Sequence, residues 1–245
     1  MTSNLDRLVT DITKGKLNFL FIGASGTGKT YASALLKPPA LFLDTEGGLR
    51  TVASMPATGA KTINLQGELR PWETMTDVVL PAILDQEEFP TIVLDSLSGL
   101  SSLYYRQVAG VNPSASHTLK NYGQTIDRLR QTVSKLKTAK ANVIFITTEL
   151  AIINDNDVVE TYIPNVAGKE TFARELPAHM DEVWFFLIKE ERKTTMIDGK
   201  PKTERRTERK ILTAPTGTRV GKDRDGVLEL EEEMNFEELR RKLEL

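Results

Sequence analysis

Five apolar runs punctuate the chain: LNFLFIG (17–23), ALFLD (40–44), TIVLDS (91–96), NVIFITT (142–148) and EVWFFLI (182–188). None alternates with polar residues. Uninterrupted runs of this length suit strands covered on both faces, as in a parallel sheet. Between them lie helical patterns. One spans 72–88, after Pro71. The other spans roughly 116–140, with Leu119, Ile126, Leu129, Val133 and Leu136 near helical spacing. Strands alternating with helices predict an α/β fold with a mostly parallel, twisted sheet flanked by helices. No internal repeat of solenoid period is present.

The pattern changes after residue 188. The stretch KEERKTTMIDGKPKTERRTERKILTA predicts a β-hairpin that turns near Asp198-Gly199. Twelve Lys/Arg stand against six Asp/Glu between 189 and 224, and eight acidic residues against three basic ones between 225 and 245. The end of the chain, NFEELRRKLEL, predicts a short helix capped by Asn235. Its charges are read as a solvated face. The chain is thus expected to be one domain over 1–245. It would comprise a core at about 15–188, a basic hairpin and finger segment at about 189–228, and an acidic tail at 229–245.

Because the two charged stretches offset one another, the formal charge is only -2, which makes no whole-chain case for nucleic acid. There are no cysteines, so disulfides and thiolate metal sites are excluded. No apolar run approaches the roughly 20 residues of a membrane span, and the first residues lack a signal-peptide core. A cytoplasmic protein with no membrane partner is expected.

The segment GASGTGKT fits G-x-x-x-x-G-K-[ST] in full, after an apolar strand and before a helical segment. Gly23, Ala24, Ser25, Gly26, Thr27 and Gly28 would wrap a phosphate with backbone N–H groups, followed by Lys29, Thr30 and Tyr31 at a helix N-terminus. Lys29 would reach the β- and γ-phosphates, and Thr30 would ligate Mg²⁺. Asp95, ending TIVLD, is the candidate second group that orients Mg²⁺. ATP and Mg²⁺ are the implied cofactors.

Hydrolysis needs a group that polarises water, usually a carboxylate. In the AAA+ arrangement a Glu directly follows the strand-end Asp; here Ser96 does. The stretch LFLDTEGG offers Glu46 at the end of a different strand. Asp44, two residues earlier, supports the turn or faces the same pocket.

Taken in order, the phosphate loop, a strand ending Asp-x-Glu, a strand ending Asp-Ser and the run VIFITT resemble the RecA-like ATPase family. The likeness is nearest to the compact phage RecA-like ATPases, including single-strand annealing recombination proteins. It spans roughly 15–228, and with the loop starting at Gly23 it implies no N-terminal DNA or polymerisation domain. It implies that Glu46 activates water and that a residue among Thr147, Thr148 and Glu149 senses the γ-phosphate, with Thr148 favoured. It also implies that Lys222 and Arg224, in TAPTGTRVGKDRDG, act on a neighbouring subunit's γ-phosphate. DNA-holding loops would fall near 108–121 and 150–178, where Lys120, Lys169, Phe172 and Arg174 are candidates. The implied partners are single-stranded DNA, further copies of the chain in an oligomer or filament, and a single-strand-binding protein, in the cytoplasm of a host if phage-encoded. The competing readings are an ATP-driven motor or assembly factor without DNA contact, a small-molecule kinase, and a nucleotide-gated module with negligible turnover. His117 and His179 are read as ordinary polar residues.

Overall fold

The computed structural model describes residues 15–110, 119–167, 170–197 and 200–245; for 191–206 the backbone alone is described. His117, Lys169 and the Asp198-Gly199 turn lie outside the described residues.

The five apolar runs become β1 (Asn18–Ile22), β2 (Ala40–Asp44), β4 (Thr91–Asp95), β5 (Asn142–Ile146) and β8 (Glu182–Ile197). β3 (Lys61–Asn64) adds a polar, largely exposed edge that carries no apolar signal. These strands run parallel in the order β8-β1-β5-β4-β2-β3. β5 therefore separates the phosphate-loop strand from the strand ending in Asp95. Antiparallel strands complete the sheet: β9 (Lys200–Leu212) and β10 (Lys222–Asp223) on β8, and β11 (Glu231–Glu233) on β9.

Both faces are covered, which explains the unbroken apolar runs. Leu20, Leu43, Leu94, Phe145 and Phe185 face one core layer. It is closed by the helical stretch 71–83, containing α3 (Pro71–Glu73) and α4 (Leu80–Ile83), and by α5 (Leu97–Ala109), α6 (Leu119–Leu136) and α7 (Glu170–Glu175). Phe19, Phe21, Phe42, Ile144, Trp184 and Phe186 face the other layer, under α1 (Lys29–Leu36) and α8 (Phe236–Leu243). The short α2 (Arg50–Ala53) adds Val52 to that layer. α6 buries Ile126, Leu129, Val133 and Leu136 as their spacing predicts, but Leu119 is 75% exposed. No helix among the described residues is long and apolar enough to cross a membrane.

Two features extend beyond this core. β6 (Glu149–Ile153) and β7 (Val159–Pro164) form a separate hairpin directly after β5. β8 and β9 remain paired from Phe185–Leu212 to Ile197–Lys200, well past the last contact of β8 with β1 at Phe185. At about 3.3 Å per residue this two-stranded ribbon reaches roughly 30 Å from the sheet.

The acidic tail is more than a solvated face. α8 carries its Asn235 cap, whose side chain accepts from the Glu238 N–H. It buries Phe236, Leu239 and Leu243 in the layer beneath α1. Glu231 and Glu233 pair with Lys189 and Lys210 at the base of the ribbon, and Glu232 pairs with Lys242 at 2.7 Å. At the base of the ribbon the acidic residues of β11 thus offset Lys189 and Lys210, as β11 lies against β9.

Candidate nucleotide site

Parallel strands align their C-terminal ends, so loops that are distant in sequence meet along one edge of the sheet. Four such loops surround a cavity of about 650 Å³ lined by Ser25, Gly26, Gly28, Lys29, Thr30, Tyr31, Glu46, Asp95, Ser96 and Thr148, among others. Gly23 sits at φ 148, and a Cβ there would meet the Phe186 carbonyl oxygen at 2.3 Å. That close approach requires glycine. Gly28, at φ 103, is the left-handed cap from which α1 departs.

The Lys29 ammonium donates to the Gly23 and Ala24 carbonyls at 2.7 Å each. Burial holds its pKa below the ordinary lysine range, opposed by Asp95, Glu149 and Glu46 nearby. The Thr30 hydroxyl donates to Asp95 Oδ2 at 2.7 Å. Burial pushes the Asp95 carboxyl up to about 6, against the Thr30 hydrogen bond. A hydroxyl and a carboxylate side by side form a hard oxygen donor set of the kind Mg²⁺ takes up together with phosphate oxygens. No cluster of three or more His, Cys, Asp or Glu among the described residues could hold a metal ion alone. The Thr30–Asp95 pair fits a cation whose remaining ligands include phosphate oxygens.

The carboxylates of LFLDTEGG separate. Asp44 is buried and accepts from the Glu46 and Gly47 N–H groups at 3.1 and 2.7 Å. Its side chain closes the turn. Glu46 instead points at α5, where the Ser96 hydroxyl donates to Glu46 Oε1 at 2.5 Å. That hydroxyl also caps α5 by accepting from the Gly99 N–H. Thr45 joins the two strand ends: its hydroxyl accepts from the Ser96 N–H and donates to the Ser96 carbonyl. Gly99 lies so close that a Cβ would meet Thr45 Oγ1 at 2.3 Å and Glu46 Cγ at 2.7 Å.

Thr147 is fully buried and bonded to the Phe21 carbonyl, so it cannot face a ligand. Thr148 lines the cavity, and its hydroxyl accepts from Asn165 Nδ2 at 3.1 Å, tying it to the end of β7. Glu149, half-buried, is pushed upward by burial, opposed by Arg219 and Lys29.

A model described as an AAA domain matches residues 15–224. The chain belongs to this family of P-loop ATPase domains. No curated protein matches it. Within the AAA domain, the site residues read from the phosphate loop lie together with Asp95, Glu46 and Thr148. Other sequence candidates lie elsewhere. Lys222 and Arg224 sit at the opposite edge of the sheet, where β8 begins. Lys222 donates to the Met180 carbonyl at 2.5 Å, and Arg224 pairs with Asp181 at 2.6 Å. They are not part of their own chain's cavity. Phe172 is 2% exposed, in the core beneath Arg130. Its ring cannot stack on a nucleic-acid base, which corrects the sequence expectation: the residue belongs to the apolar face of α7. Arg174 is paired with Glu170. Lys120 is exposed near the start of α6.

Among the lining or supporting residues outside the sequence candidates are Ser96, Gly99, Arg209 and Met234. Ser96 was legible as the neighbour of Asp95. The other three carry no local signal, because only the folding of α5, β9 and β11 onto the site brings them there.

Proposed function

We propose that the protein is a Mg²⁺-dependent ATPase of RecA-like construction that binds single-stranded DNA and supports recombination, annealing or repair as an oligomer. One observation supports the RecA-like reading over the AAA+ arrangement. The carboxylate beside Asp95 comes from the end of the adjacent strand, as Glu46, and Ser96 occupies the position after the Asp. In this reading Glu46 takes the proton of the attacking water. Lys29 and the loop amides bind the phosphates. Thr30 and Asp95 would hold the cation, which when bound neutralises charge on the β- and γ-oxygens. Thr148 reports the state of the γ-phosphate to the β6–β7 hairpin through Asn165.

The DNA part rests on the ribbon. Its sequence between 189 and 210 is rich in Lys and Arg, and its backbone rises well clear of the sheet. Cationic projections of this kind suit a phosphate backbone. The pairing of Lys189 and Lys210 with Glu231 and Glu233 favours the second reading, an ATP-driven assembly factor without DNA contact. Phosphate release measured with and without single-stranded DNA separates the two. Stimulation, with binding that falls steeply with salt, supports the first. No change in either quantity removes the DNA reading and leaves the second.

A further inference from the structure

The ribbon enters the nucleotide site at its base. Arg209 stands opposite Ile188, two residues before Ile211. Alternation along β9 puts Arg209 and Ile211 on one face. Ile211 is buried in the layer beneath α1, so Arg209 projects over the start of that helix. Its Cδ lies 3.5 Å from where a Cβ on Gly28 would stand, and it lines the same cavity as Lys29, Thr30 and Asp95. A side chain at Gly28 would also meet Met234 Cε at 2.8 Å, so glycine leaves room for both neighbours.

The surrounding cations are engaged: Lys189 with Glu231, Lys210 with Glu233, Lys242 with Glu232. Arg209 makes no hydrogen bond or ion pair among the described residues. Arg209 is thus an exposed cation beside a loop built to bind anions, and its planar fork of N–H donors suits phosphate oxygens. The amides of such a loop cradle the α- and β-phosphates, and Gly28 is one of them.

We propose that Arg209 is a cation of the nucleotide site supplied by the chain's own ribbon, engaging the α- and β-phosphates from the side of Gly28. The proposal rests on the cavity being the nucleotide site, and is independent of DNA. It assigns Arg209 a binding role shared by ATP and ADP, distinct from a finger that acts on the γ-phosphate alone.

The test is calorimetric titration of the full chain with ATP and with ADP, in Mg²⁺, for Arg209→Ala, Arg209→Lys and Lys29→Ala. Loss of charge-assisted hydrogen bonds should weaken both nucleotides about tenfold or more in Arg209→Ala. Arg209→Lys should regain part of that, at an unchanged melting temperature. The KM for ATP should rise by a similar factor, with a smaller change in kcat. Affinities within about twofold of the parent, while Lys29→Ala abolishes binding, overturn the proposal. So does a loss confined to turnover. Parental binding by Lys29→Ala would remove the cavity itself as the nucleotide site, and this proposal with it.

Discussion

Glu46 and Asp44 show how two carboxylates two residues apart acquire different work. Asp44 accepts from two backbone amides of its own turn through one oxygen, Oδ1, whereas Glu46 lines the cavity with one oxygen on Ser96. Glu46→Gln should bind ATP with parental affinity and lose about 10²-fold or more in turnover, typical of lost general-base help; parallel titration and phosphate-release assays check both. Gly99→Ala is a stricter probe. A methyl there cannot coexist with Thr45 Oγ1 and Glu46 Cγ where they stand. Turnover should fall about tenfold or more as Glu46 is displaced, with ATP affinity little changed. A Gly99→Ala enzyme with parental kcat would show that Glu46's position has no kinetic weight.

At the scale of elements, the C-terminal segment is the main revision. α8 is a packed part of the sheet's second face, and β11 feeds Met234 toward the phosphate loop. Leu239 is 1% exposed in that layer. Leu239→Ala should cost about 2–5 kcal/mol in denaturant unfolding, the usual range for a buried leucine. A mere solvated helix would lose almost nothing. The junction of β8 and β10 adds a pH effect. Glu182 is fully buried, with its oxygens accepting from Trp184 Nε1 and the Arg224 N–H. Burial pushes its pKa from 4.5 to about 8, reinforced by Asp223. The folded state therefore keeps a proton that the unfolded state releases, and this contribution to stability is lost as pH rises from about 4.5 to 8, at up to about 1.4 kcal/mol per unit. In Glu182→Gln the drop in melting temperature between pH 5 and pH 8.5 should be clearly smaller than in the parent. Equal drops in both would show that Glu182 is not the titrating group.

For the whole molecule, the cavity lies at one edge of the sheet, and Lys222 and Arg224 lie at the other. A role for them in catalysis requires a second copy, with that edge facing the first copy's cavity. Mixing Lys222→Ala with Glu46→Gln tests this. Each variant is defective alone, and heterologous assembly creates interfaces that combine an intact Glu46 with an intact Lys222. Activity above the sum of the separate variants supports action between subunits. Strict additivity removes it.

The sequence by itself determined the strands of the core, the phosphate loop and the ends of two strands that carry Asp95 and Glu46. Those signals are local: uninterrupted apolar runs, a fixed glycine spacing, and a carboxylate where a buried strand surfaces. It also placed the hairpin and the Asn235 cap, through turn and cap residues with local mechanisms. The tertiary structure decided what depends on distant segments meeting. It set Ser96 and Gly99 against Glu46 and turned Asp44 onto the amides of its own turn. It placed Phe172 in the core, brought Arg209 and Met234 to the phosphate loop, and set Lys189 and Lys210 against Glu231 and Glu233. The placements of Arg209, Met234 and the charged residues at the ribbon's base are carried by no short window of sequence, because strand order and register fix them and packing across the whole sheet settles both.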